Sequence, residues 1–163
     1  MVKLFLFVGL GAALFCGNIA AQDGELGLGI ILGEPTGLSA KLWKTDTTAI
    51  DGAVAWSLSG RDALLLHVDY LFHNFNLFNV EKGKLPFYYG FGGRIKVEED
   101  TTNKNGVTNN GDTRVGIRVP VGISYIFADA PVDIFLEIVP VLDLAPDTDF
   151  DLDVGIGVRY FLK

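Results

Sequence analysis

Cysteine is nearly missing from this chain of 163 residues: the one present is Cys16. A disulfide-stapled scaffold is therefore excluded. Basic residues are scarce as well, 13 Lys+Arg against 20 Asp+Glu for a net charge of -7. Nucleic-acid binding is excluded on that ground, because it needs a basic stripe to replace phosphate counterions. After the first 15 residues there is no apolar run long enough for a transmembrane helix and no amphipathic stretch of helical period. The 20 glycines follow no strict period, which excludes collagen, and 49% hydrophobic with 12% aromatic residues excludes an acidic disordered segment. What is present is a single domain's worth of chain whose mean hydropathy is positive, +0.34, with no spanning run to account for it.

The N-terminus reads as a secretory signal over residues 1–21, leaving a domain at 22–163. Lys3 is the positive n-region, Leu4 to Phe15 is an apolar stretch too short to span a bilayer, and Ile19-Ala20-Ala21 offers small residues for cleavage. Cleavage there removes Cys16, and with it any thiol chemistry. The rival reading makes Cys16 a lipid-modified N-terminus, but the bulky Phe15 before it suits a lipoprotein signal poorly.

From Gly24 onward the apolar residues alternate with period two in segments separated by turn residues. Eight strands are predicted: 25–33, 36–43, 48–58, 63–73, 87–97, 113–127, 132–144 and 150–162. One face of each carries bulky apolar residues and no charge, as in Leu152/Val154/Ile156/Val158/Tyr160/Leu162. The other face carries Gly27, Gly29, Ser39, Ala53, Ala55, Ser57, Gly90, Gly92, Gly116, Gly122, Gly155 and Gly157 among ionisable groups. Alternation alone does not say which face points inward. An eight-stranded barrel has an interior just wide enough for side chains, so the small-residue face belongs inside and the bulky face against lipid. The expected fold is an all-β, eight-stranded, antiparallel up-and-down transmembrane barrel.

The inward face then holds Asp51, Asp69, Asp133, Glu137, Asp143, Asp151 and Asp153 against Lys41, Arg94, Lys96, Arg114, Arg118 and Arg159, with His67 beside them. Acids and bases nearly balance. Buried charges are tolerable when paired, so the interior is expected to be a polar plug and not a pore. A tight turn around Asp129-Ala130 pairs Tyr125 with Ile134, Ile123 with Leu136 and Val121 with Ile138, and sets Gly122 opposite Glu137, leaving room for that carboxylate. Pro120 and Pro140 cannot donate to a ladder, which predicts a bulge or a missing bond where their strands run side by side. An even strand count puts both termini in the periplasm. Trp43, Tyr70, Phe72, Phe87, Tyr89, Tyr125, Phe127 and Tyr160 then fall at the periplasmic strand ends as one interfacial girdle. The segment 74–86 is long for a periplasmic turn and, with Phe75, Leu77 and Phe78, is expected to pack on the rim.

Catalytic candidates are thin. His67, Asp69 and His73 share the inward face, but a rise of ~3.3 Å per residue separates the two histidines by roughly 20 Å, too far for one metal. Ser57 with a histidine would suit an enzyme acting on envelope lipid, yet no spacing places a base beside it. The glycines at 90, 92 and 93 precede no helix and are no phosphate cradle. No cofactor is implied. The one long outer loop, 98–112, with Glu98, Glu99, Asp100, Lys104 and Asp112, is the candidate partner surface, since binding sites concentrate in loops on a rigid scaffold.

Five stretches carry a family likeness: Gly33–Lys41, His67–His73, Tyr88–Arg94, Arg118–Gly122 and Pro146–Phe150. Through them nearly the whole mature chain resembles the small outer-membrane barrels of Gram-negative bacteria, of OmpA and OmpX architecture, and more narrowly a poorly characterised family of spirochaetes and other diderms. The resemblance implies integral residence in the bacterial outer membrane, contact with outer-membrane lipid, and insertion by the barrel assembly machinery. Such chains commonly end in an aromatic residue, whereas this one ends Tyr160-Phe161-Leu162-Lys163. The functional expectation is a non-catalytic structural or surface-interaction barrel meeting an extracellular or host protein through loop 98–112. A lipid-modifying enzyme and a narrow pore are the alternatives.

Overall fold

A computed structural model describes residues 25–34, 36–57, 63–98 and 111–162, with the backbone alone of Ser57, 101–102 and 108–109. The proposed signal at 1–21 lies outside the described residues, as do Glu99, Asp100 and Lys104. Eleven strands follow one another: β1 (Leu26–Glu34), β2 (Thr36–Trp43), β3 (Thr48–Ser57), β4 (Ala63–Asn74), β5 (Phe87–Glu98), β6 (Thr101–Thr102), β7 (Thr108–Asn109), β8 (Thr113–Arg118), β9 (Val121–Ile126), β10 (Val132–Ala145) and β11 (Asp149–Leu162). All pairings are antiparallel, and β11 pairs with both β10 and β1, so the sheet closes on itself. Among the described residues every long strand has a partner on both sides, which matters in lipid, where an unpaired backbone group is costly.

β8 and β9 are two halves of one spanning strand, which brings the count to the eight expected. Their pairing with β5 keeps one register across the gap, from Gly92↔Arg118 to Tyr89↔Val121. The same holds on β10, from Val141↔Arg118 to Ile138↔Val121. The interruption at Val119-Pro120 is therefore a loss of hydrogen bonds without a slip. Gly90 donates to the Pro120 carbonyl (2.9 Å) and Val119 to the Pro140 carbonyl (3.0 Å), but neither proline has an N–H to return. A true register shift occurs on the same strand pair higher up, between Asp143 and Ala145.

The faces divide as the alternation requires. Leu38, Phe91 and Phe150 point outward with 60%, 62% and 65% of their surface free, whereas Lys41, Asp133 and Arg118 are 0–1% exposed. An uncharged belt outside and a charged filling inside is the arrangement of a barrel whose solvent is hydrocarbon. The interior is not built of small and ionisable residues alone, however. Ile31, Leu65, Leu71, Tyr88, Phe135, Val139, Val141 and Phe161 are buried there too. They fit because glycines on neighbouring strands make room: a Cβ on Gly157 would lie 2.3 Å from Phe135 Cζ, and one on Gly155 2.7 Å from Ile31 Cδ1. Gly122 does stand opposite Glu137, but the space over it holds the Tyr88 ring, whose Cζ would be 2.5 Å from an added Cβ.

Both described chain ends, Leu26 and Leu162, pair at one rim, called here the terminal end. The turns 44–47, 75–86 and 127–131 share it, and the segment between β5 and β8 rises from the opposite, loop end. In that segment Thr101 pairs with Asn109 and Thr102 with Thr108, a short hairpin where a plain loop was expected. Seven of the eight predicted girdle aromatics face outward at the terminal end, with Tyr70 and Phe72 (5.2 Å), Phe72 and Tyr89 (5.7 Å), and Tyr125 and Phe127 (4.8 Å) in ring contact. Trp43 is the exception. It shares the inward parity of Lys41 and packs against His73 with ring centroids 4.4 Å apart and planes tilted by 48°, so it closes the mouth and does not belong to the girdle.

Candidate functional site: the charged interior and its two mouths

Three layers of charge fill the barrel, each centred on an arginine. Near the loop end, Arg94 on β5 grips Asp143 on β10 through two hydrogen bonds, Nε to Oδ1 (3.0 Å) and Nη2 to Oδ2 (2.9 Å). The same guanidinium donates to Asp151 (3.0 Å) and Asp153 (3.2 Å) on β11. A planar fork with five donors suits several carboxylates at once, which a lysine ammonium does not match. Asp143 finds space because Gly116 faces it: a Cβ there would be 2.4 Å from Oδ1. Above this layer Arg114 reaches Glu98 (3.6 Å), Asp143 (3.9 Å) and Asp149 (3.4 Å), and Lys96 lies 3.7 Å from Glu98. Glu98 is therefore the last inward residue of β5, 8% exposed, and not part of the partner loop as expected. The physical reason is parity, since Arg94, Lys96 and Glu98 are two residues apart on one strand.

In the middle, Arg118 Nε stands 3.0 Å from Asp69 and its Nη2 3.7 Å from Glu137, which also accepts a hydrogen bond from Tyr88 (3.0 Å). His67 is buried beside this layer with Nε2 3.9 Å from Asp69. Toward the terminal end, Arg159 on β11 donates to Asp51 on β3 (2.5 Å) and to Ser39 on β2 (2.9 Å), with its guanidinium 3.8 Å above the Phe135 ring. Asp133 lies 3.6 Å from Arg159 and 3.9 Å from Lys41, at ion-pair distance without a hydrogen bond.

The terminal mouth is closed by rings. Lys41 Nζ donates to His73 Nε2 at 2.8 Å, and the other ring nitrogen of His73 lies 3.3 Å from the Thr47 carbonyl. That pair of contacts assigns the proton to Nδ1. His73 packs between Trp43 and Tyr88, at 4.4 and 5.4 Å, with Phe75 at 6.3 Å. Lys41 Nζ also sits 4.5 Å from the Trp43 ring, a cation–π contact that adds to its partners. Polar filling and aromatic lid together occupy the lumen. The lid was missed from sequence because Trp43 was grouped with outward aromatics; its parity with Lys41 was the available signal.

The hydrolytic candidates do not converge. Ala53 and not Ser57 is opposite His67 on the β3–β4 ladder, which puts the Ser57 backbone four residues, ~13 Å, farther along the strand. His73 is held by Lys41 at the other end. Among the described residues no group of three or more His, Cys, Asp or Glu side chains is placed to hold a metal ion. Of the partner-loop candidates, Asp112 is exposed and its carbonyl accepts from Glu98 N (2.8 Å).

A closed antiparallel ring with a charged filling and an apolar outer belt defines a small transmembrane β-barrel. The chain belongs to a family described as "Protein of unknown function (DUF3996)", whose model matches residues 19–160. No curated protein matches it. Among solved structures, the N-terminal β-barrel domain of Pseudomonas aeruginosa OprF is similar with a TM-score of 0.67 at 14% identity, covering 86% of this chain and 100% of that one. Neisserial surface protein A (NspA) is similar with a TM-score of 0.53 at 14% identity, covering 84% of this chain and 93% of that one. These likenesses are of fold.

Proposed function

We propose that this protein is a non-catalytic surface barrel of a bacterial outer membrane, of the spirochaete and diderm kind, with both termini in the periplasm. The observation that carries the reading is the filled lumen. Three arginine-centred layers and an aromatic lid cross the lumen, which supports an interior that serves stability and exposed segments that serve recognition. The fold likeness to OprF and to a protein named for the neisserial surface fits this reading. Outer-membrane lipid surrounds the belt, and the barrel assembly machinery inserts it. The segment after Glu98, with Glu99, Asp100, Lys104 and Asp112, contacts an extracellular or host protein. The hairpin pairing of 101–102 with 108–109 supports it by raising that segment on a paired stem.

Deleting residues 99–111 tests the assignment. The truncated barrel is expected to keep its heat-modifiable migration on gels and to lose binding to host or matrix components. Retained binding would remove the loop from the proposal. Lipid A mass spectra from cells with and without the gene are expected to be identical.

A further inference from the structure

The turn between β4 and β5 is anchored to the lipid-facing girdle while presenting apolar side chains outward. Lys84 and Ile126 exchange two backbone hydrogen bonds (2.9 and 2.8 Å), and Ser124 donates to the Pro86 carbonyl (3.1 Å), so the end of the turn extends the sheet beside β9. The girdle residue Tyr125 donates its hydroxyl to the Lys82 carbonyl at 3.0 Å. Gly83, at φ +73°, passes so close to this ring that an added Cβ would be 3.1 Å from the Tyr125 oxygen. Inside, Phe75 packs on Trp43 and His73. The turn is thus fastened at both sides and at the depth of the girdle. Leu77, Phe78 and Val80 are nevertheless 56%, 43% and 38% exposed. Phe78 and Val80 border a cleft of about 220 Å³ that Phe75, Lys84 and Leu85 also line.

We infer that this turn is a lipid clamp at the terminal end, in which Leu77, Phe78 and Val80 enter the leaflet and Lys82 and Lys84 hold the phosphate of an anionic phospholipid. Two observations choose the occupant. The exposed apolar residues belong to a turn tied to the lipid-facing girdle by the bond from Tyr125 to Lys82, and aromatic side chains favour that boundary. Lys82 and Lys84 are both exposed, Lys84 with its Nζ 5.6 Å from the Phe75 ring at the cleft, and they outnumber the single Glu81 of this turn in a chain whose net charge is -7. An ammonium near an anionic headgroup and an apolar tip below it match an amphiphile from both sides.

The test uses the barrel reconstituted in bilayers with and without phosphatidylglycerol. In a Cys16→Ser background, nitroxide labels are placed at Phe78→Cys, at Val80→Cys in case the first impairs folding, and at Asp46→Cys in the neighbouring polar turn. Labels at 78 or 80 are expected to collide with oxygen and be shielded from a water-soluble nickel reagent, the reverse of position 46. Equal nickel access at both turns overturns the insertion, and dipolar coupling between labels on separate chains would assign the patch to a second copy instead. Lipid retained by the intact barrel in native mass spectrometry is expected to favour phosphatidylglycerol, with Lys82→Gln and Lys84→Gln each lowering that preference about fivefold. An unchanged preference removes the headgroup contact. None of these readouts involves the loop-end segment, so the clamp and the surface-recognition role fail separately.

Discussion

Arg94 shows how much a single side chain carries inside this barrel. Among the described residues it is the donor shared by Asp143, Asp151 and Asp153, so truncation would leave the buried Asp143 and Asp153, on two strands, without their nearest cation in a water-poor interior. Arg94→Ala is expected to cost ~3–5 kcal/mol, the range for removing one partner of a buried charge pair. Unfolding by urea in lipid vesicles, followed by gel mobility, measures it. Arg94→Lys should recover only part, because an ammonium lacks the fork that meets both oxygens of Asp143. Gly157 works by what it omits. A methyl there would meet Phe135 Cε1 at 2.4 Å and the Ile30 carbonyl oxygen at 2.5 Å, so Gly157→Ala is expected to destabilise by ~1–3 kcal/mol. Adding Phe135→Leu should relieve the ring contact and leave the carbonyl contact, a partial rescue visible in the same unfolding curves. The ionisable inward residues were readable from alternation alone. Phe135, Tyr88 and Leu71 were not, because their room is supplied by glycines on neighbouring strands, and that complementarity exists only once the register is known.

At the scale of elements, the strands were legible because hydrocarbon on one side and charge on the other impose a strict period of two. The hairpin register between β9 and β10 was readable as well, since apolar residues must match across it, and Ile134↔Tyr125, Leu136↔Ile123 and Ile138↔Val121 all stand as expected. Strand ends were less legible. Glu98 extends β5 past its last apolar residue, and Trp43 ends β2 on the inward face, where polarity no longer marks direction. Of the bulge or missing bond that the two prolines predict, the structure has the missing bond, and its form is specific: Gly90 donates to Pro120 and receives nothing back from it. Pro120→Val is therefore expected to stabilise the barrel by ~0.5–1.5 kcal/mol, the net value of one added hydrogen bond, with slower amide exchange along β9. A loss of stability would mean that the ring of Pro120, buried inside, matters more than the missing donor.

For the whole molecule, filling and closure decide behaviour together. Charge layers run the length of the lumen and rings close its terminal mouth, so planar-bilayer recordings of the purified barrel are expected to show no steady conductance. Trp43→Ala should leave the recordings flat, since the Arg159 and Arg118 layers remain beyond the lid. Stable current steps in either protein would contradict a filled lumen. What no sequence pattern revealed at this scale was which charges share a layer: Arg159 and Asp51 stand 108 residues apart and meet only because the ring closes.

That meeting has a kinetic consequence. Neighbouring strands in sequence can pair as they form, whereas β1 and β11 must find each other across almost the whole chain, a contact of the slowest kind. Arg159 travels with β11, where Asp133 on β10 is already its cross-strand neighbour, and it reaches Asp51 on β3 only when that seam joins. A sheet that has not yet closed therefore leaves Asp51 with Lys41 opposite it on the β2–β3 ladder and without the Arg159 guanidinium. Zipping the last seam and joining Arg159 to Asp51 are one event, so the final charge pair of the lower lumen reports on closure of the ring.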